Sequence, residues 1–164
     1  MDEFDKVVKD ARKVKKYRII HNASKSHALT LFKNLLEEAK ETHEDIKIVT
    51  GSLDAEFYGQ LTDNLRKCLD AGVKCEVIVA KEIDIASNEF AKLLDSHEHG
   101  NIYMGSMEPV QAPHFIVVGN NKYRFEVDDE TSKAIANFND DAVGSTLVGV
   151  FSTLRDSYKK PSQG

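Results

Sequence analysis

The 164-residue chain has only two cysteines, no long apolar run and no excess of basic charge. Each shortage closes off a class of protein. Cys68 and Cys75 cannot build a disulfide framework, and their spacing is not that of a paired metal-ligand motif. Both fall in apolar patterns, which reads as two small reduced core residues. No stretch approaches the ~18 apolar residues of a membrane helix. The opening MDEFDKVVKD is too charged for a signal peptide, so a cytoplasmic location is the expectation. With 22 Lys and Arg against 27 Asp and Glu the net charge is −5, so any contact with nucleic acid must be local rather than spread over a broad basic face. There is no glycine-rich phosphate loop, dinucleotide fingerprint, zinc-finger spacing or Gly-x-Ser-x-Gly elbow. Internal repeats and low-complexity segments are also missing.

What is present is globular in character, with 41% hydrophobic and 30% charged residues, and the length suits one domain over 1–164. Phe4, Val7, Val8, Ala11 and Val14 recur at helical spacing, predicting an amphipathic helix within residues 1–16. YRIIHN at 17–22 reads as a strand and 24–41 as a helix. IKIVT at 46–50 has the β-branched character of a buried strand. Asp54 caps a predicted helix running through Phe57, Leu61, Leu65 and Leu69, with Gly72 placed to end it. VKCEVIVA at 73–80 is the next strand. Strand, helix, strand, helix, strand argues a parallel sheet with crossover helices. A short helix around 87–94 and a turn-rich stretch at 96–100 follow. Strands are then expected at 101–106, 114–119, 122–127 and 131–138, joined by turns at 119–121 and 128–130, which makes this half antiparallel or mixed. Asp140 or Asp141 caps a last helix bearing Leu147, Phe151 and Leu154. A flexible tail is expected at 159–164. The fold class read from this order is α/β, a mixed and mostly parallel sheet flanked by helices.

Two stretches carry a family resemblance. IKIVTGSLDAEFYGQLTDNLRKCLDAGVKCEVIVA (46–80) is similar to the opening strand, helix, "AGVKV" turn and second strand of the phospholipase D-like superfamily. APHFIVVGNNKYRFEVDDETSKAIANFND (112–140) resembles that family's active-site hairpin, where His-x-Lys precedes an apolar strand and an Asp, and a Gly-Ser-x-Asn-Phe segment comes later. The last reads Ala134-Ile135-Ala136-Asn137-Phe138 in this chain. The resemblance implies a single-repeat phospholipase D-like domain, with pairing of two copies as a homodimer. In the family, one histidine attacks phosphorus and a second protonates the leaving oxygen, while lysines hold the phosphate oxygens.

That signature is degenerate in this chain. With FIVV held in register, Ala112 stands at the histidine position, His114 at the lysine position and Gly119 at the aspartate position. With His114 read as the nucleophile instead, Ile116 stands for lysine and Asn121 for aspartate. The first register is preferred, because a one-residue slip in a core strand turns every side chain to the other face. A non-catalytic domain that binds a phosphate-bearing ligand, a nucleic acid or a protein partner is therefore expected. The alternative is a phosphodiesterase or nuclease centred on His114. Asn137, Arg124 and Lys122 are the candidate ligand-binding residues, no cofactor is called for, and no metal is assigned.

Each candidate has a plainer account. His114 is also explained as a structural histidine at a strand end, and Lys122 and Arg124 as the solvated face of a half-buried strand. His97 and His99 have metal-like spacing but read as a polar loop. His21, Ser24, Ser26 and His27 lie where a strand hands over to a helix, a place that favours anions, although capping explains the serines. Lys6, Lys9, Arg12, Lys13, Lys15, Lys16 and Arg18 form a basic run, the best local match to a nucleic-acid backbone or an acidic partner.

Overall fold

A computed structural model describes residues 2–105, 112–128 and 133–158. The expected tail at 159–164, the turn residues 129–130 and the strand ends at 106 and 131–132 lie outside the described residues.

The chain runs α1 (Glu3–Val14), β1 (Ile20–Asn22), α2 (Lys25–Thr42), β2 (Ile46–Thr50), α3 (Ala55–Gly59), α4 (Thr62–Asp70), β3 (Cys75–Val79), a 3-10 turn (Ile85–Ser87), α5 (Glu89–Ser96), β4 (Gly100–Met104), β5 (Phe115–Val118), β6 (Lys122–Asp128), β7 (Lys133–Asn137) and α6 (Asp141–Arg155). The strands form one sheet in the order β1-β7-β6-β5-β2-β3-β4. β2, β3 and β4 pair in parallel, and the other four pairings are antiparallel. The sheet is thus mixed, as expected, and five of its seven strands run in one direction.

Three local expectations are corrected. β1 does not sit beside β2. It lies at the far edge and pairs antiparallel with β7, because β5 takes the place beside β2 and the hairpins β5–β6–β7 widen the sheet from there. The 101–106 strand joins the parallel half as β4. The single helix expected after Asp54 breaks at Gly59-Gln60 into α3 and α4, where a glycine in a helix interior costs about 1 kcal/mol.

Two apolar layers hold the sheet. On one face the buried side chains of α1, α2, α4 and α5 (Val8, Leu31, Leu35, Leu65, Phe90) pack on Ile46, Ile48, Val77 and Ile116. On the other face Leu147 and Phe151 of α6 cover Val49, Ile78, Phe115, Val117 and Tyr123. Cys68 and Cys75 are buried and free, as read from their apolar setting. Among the described residues no helix is long and apolar enough to cross a membrane.

The β5–β6 turn needs glycine twice. Gly119 has φ +61°, a left-handed conformation, and a Cβ there would meet the Glu44 carboxylate. Gly144 in α6 lies against the same turn, where a Cβ would collide with the Asn120 carbonyl and stand 2.7 Å from Asn121 Cα. Gly144→Ala should lower the urea midpoint. Overpacking against backbone typically costs about 1–3 kcal/mol, more than the ~1 kcal/mol of helix propensity it gains.

Candidate functional site

β6 lies inside the sheet between β5 and β7, and α2 and α6 pack against it, which decides the fate of its polar residues. Lys122 and Arg124 point to the α2 side and are only 6% and 5% exposed. The solvated-face account of these two residues is therefore overturned: α2 covers them. Their roles then diverge. The Lys122 ammonium is held by the Glu44 carboxylate beyond the end of α2. Burial, the largest single influence, opposes ionisation of Glu44. The Lys122 ammonium and the Thr42 hydroxyl, at 2.8 Å, together outweigh it and hold the carboxyl below its ordinary value of 4.5. A depressed carboxyl contributes stability that is full above the ordinary value and lost as pH falls through the folded one. Glu44→Gln should therefore flatten the fall in urea stability below pH 4.5 and leave the profile above it unchanged in shape.

Arg124 is held less closely. Its Nε has no hydrogen bond among the described residues. Its nearest countercharge, Glu126 Oε2, stands 3.8 Å from Nη1, beyond hydrogen-bond length. The guanidinium lies 5.8 Å over the ring of Phe32. Burial pushes its pKa below the ordinary value, with Glu126 and Tyr58 acting in the opposite direction. Arginine nonetheless stays charged, so the chain buries a cation whose donors are incompletely used.

That cation faces a cavity of about 190 Å³ at the C-terminal ends of β2 and β6, next to the first turns of α2. His114 lines the same cavity, together with Thr50, Asp54, Tyr58 and Lys25. The backbone carbonyl of His114 accepts a hydrogen bond from Glu126 N at 2.9 Å. Asp54 caps α3 through Glu56 N at 3.4 Å. Burial raises the pKa of the Tyr58 phenol, a hydrogen bond with Thr50 opposing. The lining thus sets two cationic side chains and a histidine against two carboxylates, with Phe32, Phe57 and Phe115 as apolar wall.

Of the residues expected to act together, the structure brings together His114 and Arg124. Lys122 and Asn137 do not line this cavity. Asn137 is fully buried, and its Oδ1 accepts from Arg18 N at 3.2 Å and Asn139 N at 3.0 Å. Thr50, Asp54 and Tyr58 went unread as site residues. The available signal was their place after a parallel strand, at the strand–helix handover where α/β sheets bind ligands.

The remaining candidates sit elsewhere. His97 Nε2 lies 3.1 Å from Asp70 Oδ1, and no group of three metal-binding side chains occurs among the described residues. The basic run is partly neutralised within the fold: Arg12 pairs with Glu38 at 3.4 Å and Glu41 at 2.8 Å, and Lys15 with Glu38 at 3.2 Å.

No protein-family model matches the chain, and no curated protein sequence does. Solved structures do match. TrmBL2, an archaeal chromatin protein whose structure shows a novel mode of DNA binding, superposes with a TM-score of 0.68 at 14% identity, over 87% of this chain and 54% of that one. NucT from Helicobacter pylori gives 0.67 at 8% identity, over 88% of this chain and 99% of that one. Phosphatidylserine synthase from Haemophilus influenzae gives 0.55 at 10% identity, over 88% and 39%. The chain thus spans about half of the TrmBL2 chain and nearly the whole of NucT. The superpositions on NucT and phosphatidylserine synthase, both phospholipase D-like in architecture, give this chain, with its mixed sheet, the phospholipase D-like fold.

Proposed function

We propose that this domain is a non-catalytic binding module for a phosphodiester, with a nucleic-acid strand as the source of that group. The carrying observation is Arg124, a 5% exposed guanidinium with an unbonded Nε in a cavity it shares with His114. A guanidinium offers a planar fork of donors that fits two phosphate oxygens. Asp54 and Glu126 in the same lining disfavour a dianion, so a singly charged diester fits better than inorganic phosphate. The apolar wall suits its ester substituents. The DNA binding described for TrmBL2 supports the nucleic-acid choice. Support for the absence of chemistry comes from the motif positions: Ala112 is a buried alanine and Gly119 a left-handed turn glycine, so neither supplies a nucleophile or an orienting carboxylate. Two copies pair as a homodimer in this proposal.

Fluorescence anisotropy with labelled single- and double-stranded DNA tests it, beside an assay for cleavage of an activated phosphodiester with and without chelator. Binding without turnover is expected. The salt dependence should be shallow, with a slope of about −0.7 for each single-strand phosphate held, because one cavity grips the strand. Turnover that disappears in His114→Ala would replace this function with phosphodiester hydrolysis, for which the shared cavity of His114 and Arg124 is the favouring feature. A strict monomer by sedimentation at micromolar concentration would remove the dimer.

A further inference from the structure

The Arg124 cavity has a neighbour. Lys25, Asp54 and Phe57 line it on one side and, on the other, line a hollow of about 280 Å³ between the start of α2 and α3. The floor of the hollow is apolar, made by the half-buried Leu29 and Phe57. The Phe57 ring is fixed from behind by edge-to-face contacts with Phe32 and Tyr58, 5.3 Å away in each case. Glu56 and Gln60 stand four residues apart, which puts them on one side of α3, and both line the hollow. The hydrogen bonds of Glu56 among the described residues are made by its backbone: its N–H donates to Asp54 Oδ1 and its carbonyl accepts from Gln60 Nε2, each at 3.4 Å. Its exposed carboxylate is left for a ligand.

We infer that the hollow takes a guanine base attached to the phosphodiester in the Arg124 cavity, which makes Glu56 a specificity-determining residue; the inference rests on the diester reading of that cavity. An apolar floor with an aromatic ring accepts any base by stacking, so selection falls to the rim. A carboxylate is acceptor-only, with two oxygens side by side. The Watson–Crick edge of guanine answers it with two adjacent donors, N1–H and N2–H, and the O6 acceptor beside them suits the Gln60 amide. Adenine and cytosine each set one donor next to an acceptor, and thymine sets one donor between two acceptors, so each would turn a lone pair toward Glu56. Lys25, at the join of the two spaces, offsets the carboxylates that lie near the diester.

The experiment titrates three DNA trinucleotides into the intact protein by calorimetry, with guanine, hypoxanthine or thymine flanked by thymines. Hypoxanthine is guanine without the N2 amino group. The guanine trinucleotide should bind at least about fivefold more tightly than either of the others. Glu56→Gln, a change at an exposed side chain, should level guanine with hypoxanthine. It should leave the thymine trinucleotide bound as well as before or better, because a negative charge near the diester has gone. A purely electrostatic role for Glu56 would shift all three trinucleotides together and overturn the inference. So would a guanine preference that persists in Glu56→Gln. Equal affinities in the parent, each lost in Arg124→Met, would overturn the guanine site and leave the diester reading standing. No binding of any trinucleotide at millimolar concentration would overturn both. The hypoxanthine comparison needs no variant, so it decides even where a substitution fails to fold.

Discussion

Arg124→Met is expected to weaken binding of a phosphodiester-bearing strand by about 10- to 150-fold while changing the stability of the fold little. The first number follows from losing a charge-assisted hydrogen-bonded contact, about 1.5–3 kcal/mol. The second follows from the burial of Arg124 without adequate partners. Replacing both members of a buried ion pair by apolar side chains is often neutral or stabilising by about 1–4 kcal/mol, whereas removing one member leaves the other charge unpaired and costs stability. Glu126, 15% exposed at the side chain, loses a countercharge 3.8 Å away, and this lost attraction offsets the gain from removing the buried guanidinium. Arg124→Lys should recover only part of the affinity, because an ammonium cannot bridge two phosphate oxygens. Anisotropy and urea unfolding on the same three proteins check both halves. Unchanged affinity in Arg124→Met would remove the cavity from the function. Strong destabilisation would show that the arginine serves the fold.

The largest stability effect is expected at Asp140. This residue is 7% exposed and does two things at once. Its Oδ1 caps α6 by accepting from Val143 N at 3.2 Å, and its Oδ2 accepts the Tyr123 hydroxyl at 2.8 Å. Burial raises the Tyr123 pKa and the bond to Asp140 raises it further. Asp140→Ala removes the cap, about 1 kcal/mol, and strands a buried hydroxyl, about 1–3 kcal/mol. The sum, about 2–4 kcal/mol, corresponds to a drop of about 4–16 °C in Tm at this chain length. Asp140→Asn keeps an oxygen for the helix and should fall between. In Tyr123→Phe/Asp140→Ala the loss should be less than additive, because no hydroxyl is left unbonded. Additive losses in calorimetry would mean that the two side chains do not depend on each other.

Much of the fold was legible because period and capping are local. The 3.6-residue spacing of Val8 and Ala11, the serine before α2, the β-branched run at 46–50 and the glycine after Asp70 each act within a few residues, and the structure has these elements where expected. The family likeness was legible as well, in the order of strands and turns over 46–80 and 112–140. The break of the long helix at Gly59-Gln60 was missed because a continuous apolar stripe through Phe57, Leu61 and Leu65 masked a single weak residue.

The site divides along the same line. Residue identities alone determined that His-x-Lys is absent, that the chain carries net negative charge and that His114 and Arg124 were candidates. Only the tertiary structure decided that His114 and Arg124 share a cavity, that Lys122 is held by Glu44 and that Asn137 accepts from the backbone of Arg18, 119 residues earlier. Burial depends on which strands become neighbours. Alternation along β6 marked Lys122 and Arg124 as one face, but whether that face meets water or a helix was set when β5 and β7 flanked β6 and α2 lay across them. Pairing between distant segments is a property of the assembled sheet, and it turned an apparently solvated arginine into a buried cation with an unused donor.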